Sequence, residues 1–294
     1  MLSYRHVFHA GNHADLLKHT VLTLILQNLQ KKEKPCSFID THSGAGLYRL
    51  DDERALKTGE NAGGILRLLN SPEFSGSIPD EILPYITLCR KYAEKNQYPG
   101  SPEIFRNYLR PQDKLTLIEL HNTEIEVLKG NMEPYLHSGQ IAVHHRDAYE
   151  AVNALLPPDP RRGLLLMDPS YEVSSDYENA ARSLIAAHKR WPVGILCLWY
   201  PLLVRRASEL SELKNSLKEA AALSGSSFLT AELIVDGRGT TPDEPSVSED
   251  GGYGLYGSGM AIINAPWQLD ESLKKALPYL AQPDNTWSVD AAYV

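Results

Sequence analysis

Short apolar runs that end at an acidic residue recur along this chain, and helical stretches separate them. CSFIDT (36–41) ends at Asp40. LTLIEL (115–120) ends at Glu119. IAVHH (141–145) leads into Asp147, and GLLLMD (163–168) ends at Asp168. Strands alternating with helices make βαβ units and a mostly parallel, twisted, open sheet. Ligands of such sheets sit beyond the carboxyl ends of the strands. The alternation therefore predicts one edge carrying Asp40, Glu119, Asp147 and Asp168, suited to a ligand rich in hydroxyl and amino donors.

The rest of the pattern fits an α/β reading. Residues 14–30 have the apolar spacing of a helix packed on a core. Helices are expected near 123–131, 147–156, 176–191 and 206–222, with a strand at 194–200. Two late strands, near 227–235 and 260–264, have no helix between them and imply an antiparallel edge. The intervening Gly-, Ser- and acid-rich segment, 237–259, reads as a mobile loop. Residues 51–98 are charged, with helical pieces near 54–70 and 80–95. They read as a small helical insertion into a domain formed by 1–50 and 99–294.

Composition narrows the setting. With 294 residues and 43% hydrophobic content, the chain can bury a large core. No apolar run is long enough to span a membrane, and the polar N-terminal segment lacks the apolar stretch of a signal peptide. Cys36, Cys89 and Cys197 are far apart, which fits a reducing cytoplasm rather than a disulfide framework. The net charge of −8 argues against nucleic acid. Its distribution softens that objection: residues 1–35 hold five basic against two acidic residues, together with His6, His9, His13 and His19. His9 and His13 have metal-like spacing, but no carboxylate or cysteine pattern completes a site, so no metal is expected.

Each strand end has a chemical and a plain reading. Asp40-Thr41-His42-Ser43-Gly44-Ala45-Gly46 lets the backbone approach a ligand closely, or is an ordinary glycine turn. Its spacing is neither GxGxxG nor that of a phosphate loop. Glu119 can accept from ribose hydroxyls, or be a solvated carboxylate or helix-cap partner. Asp147 can accept from an adenine amino group, cap the next helix, or do both. Lys18 and His19 could be polar residues on a helix's outer face, and Trp199-Tyr200-Pro201 either plain core or a wall for a flipped base.

Asp168-Pro169-Ser170-Tyr171 is the sharpest signal. The N6 lone pair of adenine is delocalised into the ring and is a poor nucleophile. Asp168 and the Pro169 carbonyl could each accept one N6–H hydrogen bond and align the nitrogen for attack. Proline fixes φ and aims its carbonyl, and Tyr171 could stack on the base. The plain reading is an Asx-Pro turn.

That motif resembles the Asp/Asn-Pro-Pro-Tyr/Phe motif of amino methyltransferases. SYRHVFHAGNHADLLKHT at the start, DTHSGAG, YPGSP (98–102), IEL before His121, DPSYE, LWYP (198–201) and SGMAIINAPW (258–267) occur in the order of the RlmJ family. Its members are bacterial enzymes that methylate adenine N6 in 23S ribosomal RNA. The resemblance covers nearly the whole chain and implies a Rossmann-like class I methyltransferase fold, S-adenosyl-L-methionine as cofactor, and a monomer acting on naked or precursor RNA. Carried over by motif, it implies cofactor contacts at His19, His42, Ser101, Glu119, Asp147, Ala148 and Asp168. It implies catalysis at Asp168 with Pro169 and Tyr171, and RNA contacts from Tyr4, Arg5 and Tyr171. Ser170 stands where a second proline is usual, Ala148 where glycine is common, and the acidic loop 241–252 is longer than expected.

The competing functions are amino methylation of DNA or of a protein glutamine, and a catalytically weak RNA-binding module. The basic, aromatic N-terminus favours RNA, and the intact Asp168 and Tyr171 disfavour the binding module. A nicotinamide dehydrogenase is disfavoured by the glycine spacing.

Overall fold

The computed structural model describes residues 4–70, 78–235, 255–281 and 286–292. Helix α1 (His13–Gln30) begins at Asn12, whose side chain accepts the Ala14 and Asp15 N–H groups. Fourteen of its eighteen residues are buried, so it lies inside the molecule rather than on it. Along β1 (Ser37–Asp40), Phe38 enters one apolar core and Ile39 the other, on the opposite face of the sheet. A strand buried on both faces has no polar side, which is why it reads as an unbroken apolar run.

After β1 the chain makes a short ribbon in which β2 (Leu47–Arg49) pairs antiparallel with β3 (Gln97–Pro99). The ribbon brings together the two ends of a segment holding α2 (Glu53–Thr58), α3 (Glu60–Gly63), α4 (Ile65–Asn70) and α5 (Leu83–Ala93). Then follow α6 (Ser101–Asn107), β4 (Lys114–Glu119), α7 (Asn122–Leu136), β5 (Ile141–His145), α8 (Ala148–Leu155), β6 (Gly163–Met167) and α9 (Ser175–Arg190). The chain continues through β7 (Ile195–Leu203), α10 (Ala207–Leu223), β8 (Phe228–Ile234), β9 (Leu255–Ile263), α11 (Leu269–Leu280) and β10 (Thr286–Ala292).

The main sheet has the order β10–β8–β9–β7–β6–β1–β4–β5. The five strands from β7 to β5 are parallel, while the pairings of β9 with β7 and β8, and of β10 with β8, are antiparallel. The α/β expectation therefore holds, with an antiparallel region broader than a single edge strand. From β1 the chain runs out to β4 and β5, then returns across β1 to β6. That reversal opens a crevice at the carboxyl ends of β1, β4 and β6. One core lies under α1, α7 and α11, and the other under α8, α9 and α10.

The sequence reading missed α11 and β10 and drew β9 and β7 too short. The segment read as a loop at 237–259 contains the start of β9 at Leu255; its residues 237–254 lie outside those described. α11 carries Pro278, and β10 is a largely exposed edge whose polar alternation gives little signal. β7 runs through Pro201, beyond the predicted end. Its pairing with β6 stops at Leu198, so Pro201 removes no donor from that side of the ladder.

Candidate active site

A cavity of about 520 Å³ opens at the carboxyl edge of the parallel strands. Its wall includes all seven residues expected to touch a cofactor: His19, His42, Ser101, Glu119, Asp147, Ala148 and Asp168. Pro169, Ser170 and, at the rim, Tyr4 join them.

On the β1 side the loop turns at Gly44, where φ is +56° and an added Cβ would fall 2.3 Å from the Tyr48 hydroxyl. The turn sends the Gly44 N–H to Glu119 Oε2 at 2.7 Å, and the His121 N–H reaches Glu119 Oε1 at 2.7 Å. Burial raises the Glu119 pKa above the usual carboxylate range, and these N–H groups oppose the rise. Each oxygen keeps a lone pair for a ligand hydroxyl. The cap of α7 is His121 Nδ1 rather than Glu119. Asp147 caps α8 through Oδ1 alone, at 2.9 Å to the Tyr149 N–H and 3.1 Å to that of Glu150, leaving Oδ2 outside the cap.

Two histidines of the wall are held neutral. Burial depresses His19 to about 3 and His42 to about 4, against the pull of Asp15 on the first and of Asp168 and Asp147 on the second. Asp40 is fully buried behind them, and neither of its carboxylate oxygens has a hydrogen-bond partner. Burial pushes it up to about 7; the Ser101 hydroxyl opposes this without reaching good hydrogen-bond geometry.

The opposite wall is built from side-chain charge. Asp168, just past β6, receives Lys18 Nζ on Oδ2 at 2.6 Å. Lys18 also lies 2.9 Å from Asp15 Oδ1. Asp15 Oδ2 takes the Gly11 N–H at 2.8 Å and faces His6 Nε2 at 2.9 Å. His6 Nδ1 meets the Tyr4 hydroxyl at 2.8 Å. Burial alone would discharge Lys18, but Asp15 and then Asp168 outweigh it and hold the ammonium above the usual lysine range. Burial likewise acts against Asp15, which His6 and Lys18 nevertheless keep well below the carboxylate range.

This wall and the groups behind it include residues that spacing alone did not identify. Lys18, for which an outer helix face is one sequence reading, is 4% exposed and bonded to Asp168. Asp15 and His6 had no assigned role. A signal was present: a charge on a helix that is apolar nearly all round must be buried and paired.

Two residues expected at the site lie outside the cavity wall. Tyr171 is 8% exposed and does not line the cavity. Its backbone is left-handed, at φ +53°, which turns the ring into the core against Tyr177 and Trp199. Its hydroxyl donates to the Trp199 carbonyl at 2.8 Å, so it braces the loop and offers no face to a base. Arg5 is also absent from the wall; it reaches Thr123 Oγ1 at 3.4 Å, beside α7. Trp199-Tyr200 is core rather than cavity wall, with the Tyr200 hydroxyl donating to Glu232 at 2.8 Å. Among the described residues no group of three or more metal-ligating side chains is found; His9 instead binds Glu60 at 2.9 Å.

A crevice of this topology, with acids at successive strand ends around one cavity, defines the class: a Rossmann-like α/β protein with its site at the topological switch point. The family follows from comparison. A family model described as "RsmJ: Ribosomal RNA large subunit methyltransferase D, RlmJ" matches residues 33–288, and the chain belongs to this family. It is 38% identical to ribosomal RNA large subunit methyltransferase J of Escherichia coli (strain K12), over 95% of this chain and 93% of the relative. It is also 38% identical to the protein of that name from Haemophilus influenzae, over 99% and 98% of the two chains. The solved structure of the Legionella pneumophila protein LPL1258 superposes with a TM-score of 0.81 at 31% identity, covering 97% of this chain and 98% of that one.

Proposed function

We propose that this chain transfers a methyl group from S-adenosyl-L-methionine to the exocyclic N6 of a specific adenine in 23S ribosomal RNA. The carrying observation is Asp168. Lys18 binds its Oδ2, its Oδ1 is left for a ligand, and it lines the cavity together with Pro169.

The residues present fit the cofactor. The cavity lies within the roughly 300–1,000 Å³ typical of small-molecule sites. Glu119 and Asp147 keep acceptor capacity, and His19 Nε2 is buried without a partner. His19, His42, Ser101, Glu119, Asp147, Ala148 and Asp168 would hold it. When bound, S-adenosyl-L-methionine supplies an electrophilic methyl group on a sulfonium.

The chain's own groups prepare the amine. Asp168 Oδ1 and the Pro169 carbonyl accept the two N6–H bonds, drawing the lone pair out of conjugation and toward the methyl carbon. Once methylated, N6 would carry a positive charge, with Asp168 Oδ1 and the Pro169 carbonyl as its acceptors. The nitrogen becomes strongly acidic only then, so its proton leaves to solvent after transfer and Asp168 need not take it beforehand.

Tyr4 and Arg5 face the RNA in this reading. The segment 51–98 serves as an inserted subdomain that holds them: Glu60 accepts from Asn12 at 2.8 Å and pairs with His9, on whose ring Tyr4 stacks. The chain acts as a cytoplasmic monomer on naked or precursor RNA.

Tritiated methyl transfer to ribosomal RNA, DNA and total protein, followed by nucleoside and amino-acid analysis, tests the proposal. Label is expected in N6-methyladenosine of 23S RNA. Label confined to DNA or to protein glutamine would replace it.

A further inference from the structure

We infer that Asp15 is a positioning residue for methyl transfer: one buried carboxylate that holds the catalytic loop, through Lys18, and the RNA-facing N-terminal segment, through His6, in a single arrangement. This inference rests on the proposed role of Asp168.

The geometry singles Asp15 out. It is fully buried and never reaches the cavity wall, so it touches neither cofactor nor base. Yet two lines of contact meet on it. One runs from Asp168 to Lys18 at 2.6 Å and from Lys18 to Asp15 at 2.9 Å. The other runs from the Tyr4 hydroxyl to His6 at 2.8 Å and from His6 to Asp15 at 2.9 Å. The Gly11 N–H fixes the carboxylate itself, at 2.8 Å, at the mouth of α1.

Charge makes the arrangement directional. An ammonium that is 4% exposed does not stay ionised beside a single partly exposed carboxylate without cost. With Asp15 behind it, Lys18 is held between two carboxylates and keeps a fixed distance to Asp168. Without that charge, Lys18 either moves wholly onto Asp168, competing with the amine for its oxygens, or loses its proton and releases the loop. Both outcomes disturb the alignment of the amine while leaving Glu119 and Asp147, on the other wall, in place. A loss in turnover separated from cofactor affinity follows.

The test is a double-mutant cycle on the full chain with an rRNA transcript: wild type, Asp15→Asn, Lys18→Gln and the double variant. Asparagine is nearly isosteric and keeps an acceptor for Gly11. Asp15→Asn should lower kcat at least tenfold while the KM for S-adenosyl-L-methionine stays within threefold. The double variant should be no slower than Lys18→Gln alone within threefold, because both changes cut one line of contact. Losses that multiply, or a loss that appears only in KM, would overturn the inference. If Asp15→Asn does not fold by thermal melt, Asp15→Glu, which keeps the charge but displaces it, replaces it in the cycle with the same non-additivity expected. Fully multiplicative losses there overturn the proposal equally. An Asp168→Asn variant with unchanged kcat would remove the underlying reading instead, which separates the two failures.

Discussion

The two walls of the cavity satisfy their carboxylates in different ways. On the β4–β5 side, backbone N–H groups of Gly44, His121, Tyr149 and Glu150 bind Glu119 and Asp147. On the β6 side the side chain of Lys18 binds Asp168, with the buried Asp15 and His6 behind it. Backbone donors carry no titratable charge and move only with the chain, so that wall suits binding. Side-chain partners can titrate and can be exchanged for a ligand, so the other wall suits chemistry. In the proposed reading, the contrast would separate affinity from rate within one pocket.

The strongest way to break that division is Asp168→Asn. It keeps one carbonyl acceptor and removes the charge that holds Lys18. Turnover should fall by roughly 10²–10³-fold, the scale of losing one preorganised group at a developing charge. Cofactor affinity, by calorimetry, should change far less; a comparable loss in affinity would dissolve the two-wall distinction.

Glu119→Ala probes the binding wall. Losing charge-assisted hydrogen bonds to ribose should weaken cofactor binding by about 1.5–3 kcal/mol. Calorimetry on the folded variant checks this, and unchanged affinity would take Glu119 out of the site.

Asp40 sharpens the comparison, because it belongs to neither wall. Its pKa rises from 3.8 to about 7 on folding. The folded chain therefore binds more protons than the unfolded one between these values, and stability falls as pH rises through that window. Asp40→Asn should raise Tm at pH 8 and leave it nearly unchanged at pH 4. Equal Tm differences at both pH values would mean that the carboxyl's ionisation carries no cost.

The smallest effect is expected at Ser170. Both N6 acceptors belong to its neighbours, so Ser170→Pro should leave single-turnover methylation level or slightly higher. A tenfold loss, about 1.4 kcal/mol on the barrier, with cofactor affinity unchanged, would show that the hydroxyl has a role of its own.

Much of this was legible in the chain because strands buried on both faces must be apolar and must end where a ligand can be met. That logic located Glu119, Asp147 and Asp168 before any coordinates. It failed where a residue's partner is distant in sequence: Lys18 and Asp168 are 150 positions apart, and only the fold joins them. It also failed at Tyr171, since a left-handed backbone at a non-glycine residue leaves little trace in sequence. β10 was missed because a strand without a buried face has no periodicity to read.

The burial of α1 bears on how the molecule is made. This helix packs against β9 and α11, which lie more than two hundred residues later in the chain. A helix apolar on almost every side cannot rest in water, so it must wait, covered by other surfaces, until those elements exist. The segment from Tyr4 to Asn12 precedes α1 and takes its direction from it. The pocket's chemical wall thus starts in the segment around Tyr4–Lys18 and is backed by elements beyond residue 255. A chain truncated before residue 255 should therefore lack an ordered Lys18–Asp168 pair, even though every residue of the pocket would be present.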